Sequence, residues 1–460
     1  MLDSQMLCRG GPETRINVLL ATLSPLLQST RHNVSEVLPH AAKDSTSCAT
    51  TGRTRAPHTL LRKLLETIAT LCSLHDVCTS AAVTLEVASD RATLFISTDD
   101  TAPKQLIQDV ESWVASLRAI AEDWASDADP PDGSFSVEEH SEAVLMANVY
   151  RACYATIRAR IRADGGLTPT LRKLSDELPL EKQAVDDPDT PLGKLCTNLE
   201  LLVSCTDPET VEENDETHLA AACIAGWAAD QALRQDWVLC RIVDGIDNRA
   251  IQVIREACAV SALVDTLVTI AKCGGMSLAL PLFWAVEWVS PPSISIPISS
   301  SSEAVSTPDD RAGQTQHPES YLIRHIIDNA LSVHPYIATS ALPCYPCVML
   351  MRSVNLAQSP FTQSGTGCDY MLRGCDAGIV SPWLFPWVGC EEDFEHAEDI
   401  LRELELGLER DLQLLQDRRP GATLGDVSTL VRGLLEKPIK RDPGSPPRYV
   451  ECAVLATSTL

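Results

Sequence analysis

Leu60, Leu61, Leu64, Leu65, Ile68 and Leu71 recur at helical spacing and predict an amphipathic helix over 58–75. The same period predicts helices over 14–30, 104–125, 139–163, 192–204, 217–236 and 248–273. One early segment has the other period. Val83, Leu85 and Val87 alternate with polar neighbours, Ser89-Asp90-Arg91 can turn, and Leu94, Phe95 and Ile96 follow, which predicts a hairpin. Loops are expected at 126–136, around Pro130-Pro131-Asp132-Gly133, and at the acidic stretch 206–216. No fixed-period repeat is present.

From Met276 the texture changes. Two strand candidates follow, 278–289 and 293–299, the second with Ile294, Ile296 and Ile298 alternating as on an edge strand. A low-complexity loop fills 299–316. Beyond it, Leu322, Ile323, Ile326, Ile327, Ala330 and Leu331 share one helical face, His334–Ser340 predicts a buried strand, and Val348-Met349-Leu350-Met351 starts another helix. A leucine-rich acidic helix is expected over Glu391–Asp417, and the proline-rich tail after Lys437 is expected to be partly disordered. The expected fold class is therefore α/β of the mixed, α+β kind. A mostly helical region spans 1–245, a mixed-sheet domain 246–390, and a C-terminal helix with its tail 391–460.

Composition sharpens this picture. Apolar residues make up 45% of the chain but aromatics only 5%, so cores must be built from Leu, Ile, Val and Ala, which favours helices. The formal net charge of −26 is the wrong sign for neutralising phosphates along a nucleic acid, so a polymer substrate would need a local basic groove. A nucleoside or nucleotide meets no such obstacle. The 17 cysteines are odd in number and form no framework, and the first twenty residues lack a basic stretch followed by an apolar one. Thiols in a reducing compartment, cytoplasmic or nuclear, are expected. The apolar stretch Ala259–Val289 is interrupted by Asp265, Lys272, Gly274, Gly275, Pro281 and Glu287, so no membrane partner is expected.

The candidate chemistry sits after the loop. His317-Pro318-Glu319 opens a helix, because proline suits the first helical position. Pro343-Cys344-Tyr345-Pro346-Cys347 opens the next one. Cysteines three apart on the first turn of a helix can grip one ion, and the positive end of the helix dipole favours their thiolates. A histidine from the neighbouring helix start completes three ligands, which leaves zinc's fourth position open. Glu319, two residues past the histidine, is placed to move a proton. Tyr345, between the cysteines, and Trp383 and Trp387, in the aromatic cluster Ser381–Trp387, are candidates for lining a substrate pocket, since bases stack on aromatic faces.

H-x-E followed by P-C-x-x-C resembles the signature of the zinc-dependent cytidine deaminase-like superfamily. The setting Tyr336–Leu342 before the cysteines is similar to the large fungal branch related to bacterial toxin-type nucleic-acid deaminases. The resemblance covers roughly residues 250–390. It implies a mixed sheet flanked by helices with both motifs at helix N-termini. It also implies zinc held by His317, Cys344 and Cys347, with Glu319 as acid and base, and a cytosine or adenine base, in nucleic acid or nucleoside, as substrate. Its first two strands should precede His317, and the candidates for them are 278–289 and 293–299. The residue before Pro343 is Leu342, where several nucleic-acid deaminases carry a small polar residue or Glu.

Other readings compete. His140-Ser141-Glu142 lies about 200 residues before Cys344, and His396-Ala397-Glu398 follows the cysteines inside the acidic helix. Cys368 and Cys375 offer a second metal or a fourth ligand, though free thiols explain them as well. His325 and His334 read as a helix-surface and a loop residue. The functional rival is an inactive deaminase-fold scaffold, with structural zinc or none, that binds a protein partner through its helical N-terminal region.

Overall fold

The computed structural model describes residues 15–24, 55–88, 91–99, 102–125, 137–176, 190–207, 216–246, 249–277, 283–290, 317–358, 370–372, 383, 385–387 and 395–416. In chain order the elements are α1 (15–24), α2 (Arg55–Leu74), β1 (Ala81–Val87), β2 (Arg91–Thr98), α3 (Lys104–Ala125) and α4 (Val137–Arg162). Next come α5 (Leu167–Asp176), α6 (Pro191–Cys205), α7 (Glu216–Gln235), α8 (Trp237–Ile246), α9 (Ala250–Ala257) and α10 (Ala259–Ser277). The last are β3 (Phe283–Val289), α11 (Pro318–Asp328), β4 (Tyr336–Thr339), α12 (Tyr345–Gln358), β5 (Met371–Leu372) and α13 (Glu395–Gln416). The protein is mixed α/β, mostly helical, around one five-stranded mixed sheet.

The strand order is β3-β2-β1-β4-β5. β1 pairs antiparallel with β2 and with β4, whereas β2–β3 and β4–β5 are parallel. The hairpin closes through the Ala88 N–H on the Arg91 carbonyl at 2.9 Å. Parallel neighbours need a crossover, and the helices α3 to α10 supply it between β2 and β3.

Side chains alternate across a strand, and here both faces are covered. Val83 and Leu85 of β1, opposite Ile96 and Leu94 of β2, face the helical layer with Tyr336 and Ala338 of β4. Trp284, Val286 and Trp288 of β3 pack on that same side, where α2, α3, α4, α7 and α10 close the core. On the other side, Ala82, Phe95, Val289 and Ile337 meet Leu322, Ile323 and Ile326 of α11 and residues of α12 and α13. α1 joins this second core through Ile16, Leu19, Leu20 and Leu23, and Arg15 Nη2 reaches Glu405 Oε2 at 3.0 Å.

The hairpin at 81–98 supplies the central strand and its neighbour, so one sheet joins strands from both sides of residue 245. Within the strand candidate 278–289, Phe283–Val289 is a strand, and it lies at the sheet edge beside β2. The segment is uninterrupted by proline, and the crossover returns it parallel to β2. The candidate 293–299, the loop 299–316 and the tail after 437 lie outside the described residues. The helix read over 248–273 is two, α9 and α10, broken at Cys258, whose N–H bonds the Ile254 carbonyl at 2.9 Å. Two short helices, α5 and α8, interrupt stretches given no element.

Among the described residues no helix is long and apolar enough to cross a membrane. The described cysteines are free thiols.

Candidate metal centre

β4 runs between the two helices that matter. Its end is tied to the central strand by the Ala81 N–H on Ser340 Oγ (3.0 Å) and the Ser340 N–H on the Ala81 carbonyl (2.9 Å). Thr84 Oγ1 donates to the Tyr336 carbonyl at 3.1 Å, which fixes the other end. The strand therefore delivers Pro343 and Cys344 to a set position.

His317 is the N-cap of α11, in extended backbone with φ −109° and ψ 104°. Its imidazole makes no capping hydrogen bond, and its carbonyl instead accepts from Ser320 Oγ at 2.7 Å. The ring is thus free to point elsewhere, and its Nδ1 lies 3.5 Å from Cys344 Sγ. Cys344 Sγ lies 3.4 Å from Cys347 Sγ. Glu319 sits in the first turn of α11, where a carboxylate suits the helix dipole, with Oε1 3.9 Å from His317 Nδ1. One donor atom from each of the four lies within 4.8 Å of all the others.

The donor set and its spacing fit zinc. Zinc–sulfur bonds of about 2.3 Å and zinc–nitrogen bonds of about 2.0 Å, set tetrahedrally, put ligand atoms roughly 3.5 to 3.8 Å apart. The observed separations of 3.4 and 3.5 Å match that within a few tenths. One imidazole nitrogen and two thiols are also the softness that zinc prefers.

The electrostatics are those of a charged cluster in a buried place. Burial alone would lower His317, but the Cys344 sulfur and Glu319 push it up to about 10. Burial would raise Cys344, but hydrogen bonds from Cys347 and His317 pull it below the ordinary thiol range. Burial, reinforced by the neighbouring Cys344, pushes Cys347 up. Burial would raise Glu319 too, and His317 more than offsets it, so the carboxylate lies below its ordinary value. Imidazolium beside thiolate is the arrangement a metal ion replaces, releasing protons as it binds.

His317, Glu319 and Cys344 keep 9%, 6% and 7% of their surface, whereas Cys347 keeps none. What access the site has therefore lies on the side of the histidine, the first cysteine and the glutamate.

The aromatic candidates are taken up by packing and buried hydrogen bonds. Tyr345 is buried and turns away from the cluster to donate to Asp411 Oδ2 of α13 at 2.5 Å. Trp387 is buried, with Nε1 on Asp328 Oδ1 at 2.8 Å. Trp383 is buried with its Nε1 3.4 Å from Cys347 Sγ, so it touches the cluster from behind a ligand. The sequence offered no signal for Asp411: a carboxylate in an acidic helix looks solvated until α13 is seen packed on α12.

His325 is no ligand: its Nε2 lies 3.3 Å from Glu287 Oε1 and its ring lies against Phe95. His334 follows Val333 before β4, its backbone N–H on the Leu85 carbonyl at 2.7 Å. Cys368 and Cys375, and the side chains of His140 and His396, lie outside what is described.

No protein family, curated protein or solved structure matches the chain.

Proposed function

We propose that the protein is a zinc-dependent hydrolytic deaminase of the cytidine deaminase-like kind, acting on a cytosine or adenine base. The observation that carries this reading is the convergence of His317 Nδ1, Cys344 Sγ and Cys347 Sγ at zinc-like separations, with the Glu319 carboxylate beside them. The two halves of the motif open two helices on either side of one strand of a mixed sheet, which is the arrangement the resemblance implies.

His317, Cys344 and Cys347 would hold the ion. Zinc with three protein donors supplies a Lewis acid that lowers the pKa of water to near neutrality. The chain's own contribution is Glu319. It takes one proton from the attacking water and passes it to the ring nitrogen, then takes the second from the hydroxyl so formed on the ring carbon and passes it to the departing amine. Water's oxygen adds to the amino-bearing ring carbon, the exocyclic C–N bond breaks, and ammonia leaves. The described helices beside the site, α11 and α12, carry no lysine and one arginine each, and Arg324 of α11 is engaged by Asp328 at 3.0 Å. That balance favours a free nucleoside over a polymer.

One observation favours a second reading. All four clustered side chains are buried, and Glu319 lies close enough to serve as a fourth ligand, which would close the shell and make the centre structural. The protein would then be a scaffold of the same fold.

The deciding experiment measures zinc per purified chain in the unmodified protein and in Cys344→Ala, with ammonia release from cytidine, adenosine and short single-stranded oligonucleotides. About one zinc, lost in the variant, with ammonia released only by the loaded protein, is expected. Equal zinc in both, or none in either, overturns the ligand set. Full zinc with no ammonia from any substrate favours the scaffold.

A further inference from the structure

We propose that Trp383 is a positioning residue for the metal centre, its indole N–H holding and tuning the Cys347 sulfur. The inference rests on the metal reading above and adds a residue to it. Trp383 Nε1 lies 3.4 Å from Cys347 Sγ. Both side chains are closed to solvent, Trp383 at 2% and Cys347 at 0% exposure. Neither group can therefore turn to water, and a buried N–H left without an acceptor is costly. The sulfur is the acceptor it has.

The two cysteines differ for this reason. Cys344 keeps some access and faces His317. Cys347 is enclosed, and a thiolate there needs a donor to bear its charge. Part comes from the helix N-terminus; the indole N–H adds a directed dipole at the sulfur itself.

The donor is also held in place by the other motif helix. Phe385 meets the Trp383 ring edge-on at 6.4 Å between centroids. Trp387 Nε1 is fixed on Asp328, and Arg324 Nη1 holds the Pro386 carbonyl at 2.8 Å. Asp328 and Arg324 belong to α11, which carries His317 and Glu319. The aromatic strip thus lets α11 set the position of a ligand on α12. Partners behind a metal ligand orient it and set how strongly it donates, and their loss commonly weakens metal binding 10- to 100-fold. A donor on the sulfur also withdraws electron density from it, which leaves the ion more electrophilic.

The test uses cobalt(II) in place of zinc on the full chain, comparing the unmodified protein, Trp383→Phe and Phe385→Leu. The phenyl ring keeps most of the packing and removes the N–H. In Trp383→Phe the sulfur-to-cobalt charge-transfer absorption is expected at lower energy, because the sulfur lone pair is no longer stabilised. Zinc affinity, measured against a competing chelator, is expected to fall about 10- to 100-fold. Phe385→Leu loosens the support of the indole but keeps its N–H, so the band is expected to move less than in Trp383→Phe. An unmoved band and unchanged affinity in Trp383→Phe overturn the proposal, whereas unmodified protein that binds no cobalt, or binds it without sulfur charge transfer, overturns the metal centre itself. If Trp383→Phe does not fold, NMR on unmodified protein loaded with NMR-active cadmium decides. Coupling from cadmium to an indole Hε1 supports the assignment, and its absence from every indole removes it.

Discussion

The two faces of the sheet are built differently. The helical face is continuous in sequence for most of its length, mainly aliphatic, and closed by helices drawn from α2 to α10. The other face is stitched from α1, single strand residues, α11, α12, the aromatic strip 383–387 and α13. It carries all four clustered metal-binding candidates. The first face supplies bulk and a rigid backing. The second is assembled from distant pieces so that chemically distinct side chains meet at one point. The metal-binding candidates sit where the chain had to be brought together, and bulk sits where it folds locally.

The sharpest way to test that division is to alter one face without the other. Glu319→Gln removes the carboxylate proposed to move the proton and little else. Ammonia release is expected to fall about 10²- to 10⁴-fold, with zinc content and thermal stability unchanged. Loss of zinc in that variant would make Glu319 a ligand and move the centre to the structural reading.

Leu94→Ala strikes the opposite face, where Leu94 is fully buried against Leu85. A cost of about 2–5 kcal/mol is expected from chemical denaturation. Because β1 and β2 back both cores, a single transition followed by both intrinsic fluorescence and metal release should move as one. Two separated transitions would show that the faces are independent, and the comparison would fail.

The smallest effect concerns the clamp between α12 and α13. Burial, only partly offset by the Tyr345 hydroxyl, raises Asp411 above its ordinary value of 3.8. The folded state then holds a proton that the unfolded chain has lost. Stability therefore carries a component that is present below 3.8 and falls as pH rises through the raised value. Asp411→Asn keeps an acceptor for Tyr345 and should lack that component. Denaturation midpoints across the acidic range, compared between the two proteins, read the difference directly. Identical slopes would mean that Asp411 stays ionised in the fold.

Much of the helical face was legible in the chain. Leu64, Leu65, Ile68 and Leu71 announce α2 by period alone, and helix ends fall within a few residues of those expected. The motif halves were legible too, because Pro318 and the cysteine spacing mark helix starts locally. The partners of β4 were not. Val83 and Leu85 read as a hairpin, but nothing in their alternation says which later strand they will bond. The pairing of Ala82 with Thr339 is a tertiary choice made by the two cores together. The partners of the aromatic strip were not legible for a related reason. Trp383 and Trp387 look like stacking platforms in sequence, and only packing reveals that one N–H is spent on a sulfur and the other on Asp328.

The bond between Ala81 and Ser340 joins positions 259 apart. Contacts of that separation carry a large loop-closure entropy and slow folding. The order of events during refolding follows from this. The helical layer between β2 and β3 can form from near neighbours, and only then can β4 close on β1 and bring Cys344 to His317. The site is then expected to form late in refolding. Expression fragments that begin near residue 246 lack β1 and β2, so β4 has no central strand to close on and such pieces should not acquire the centre at all.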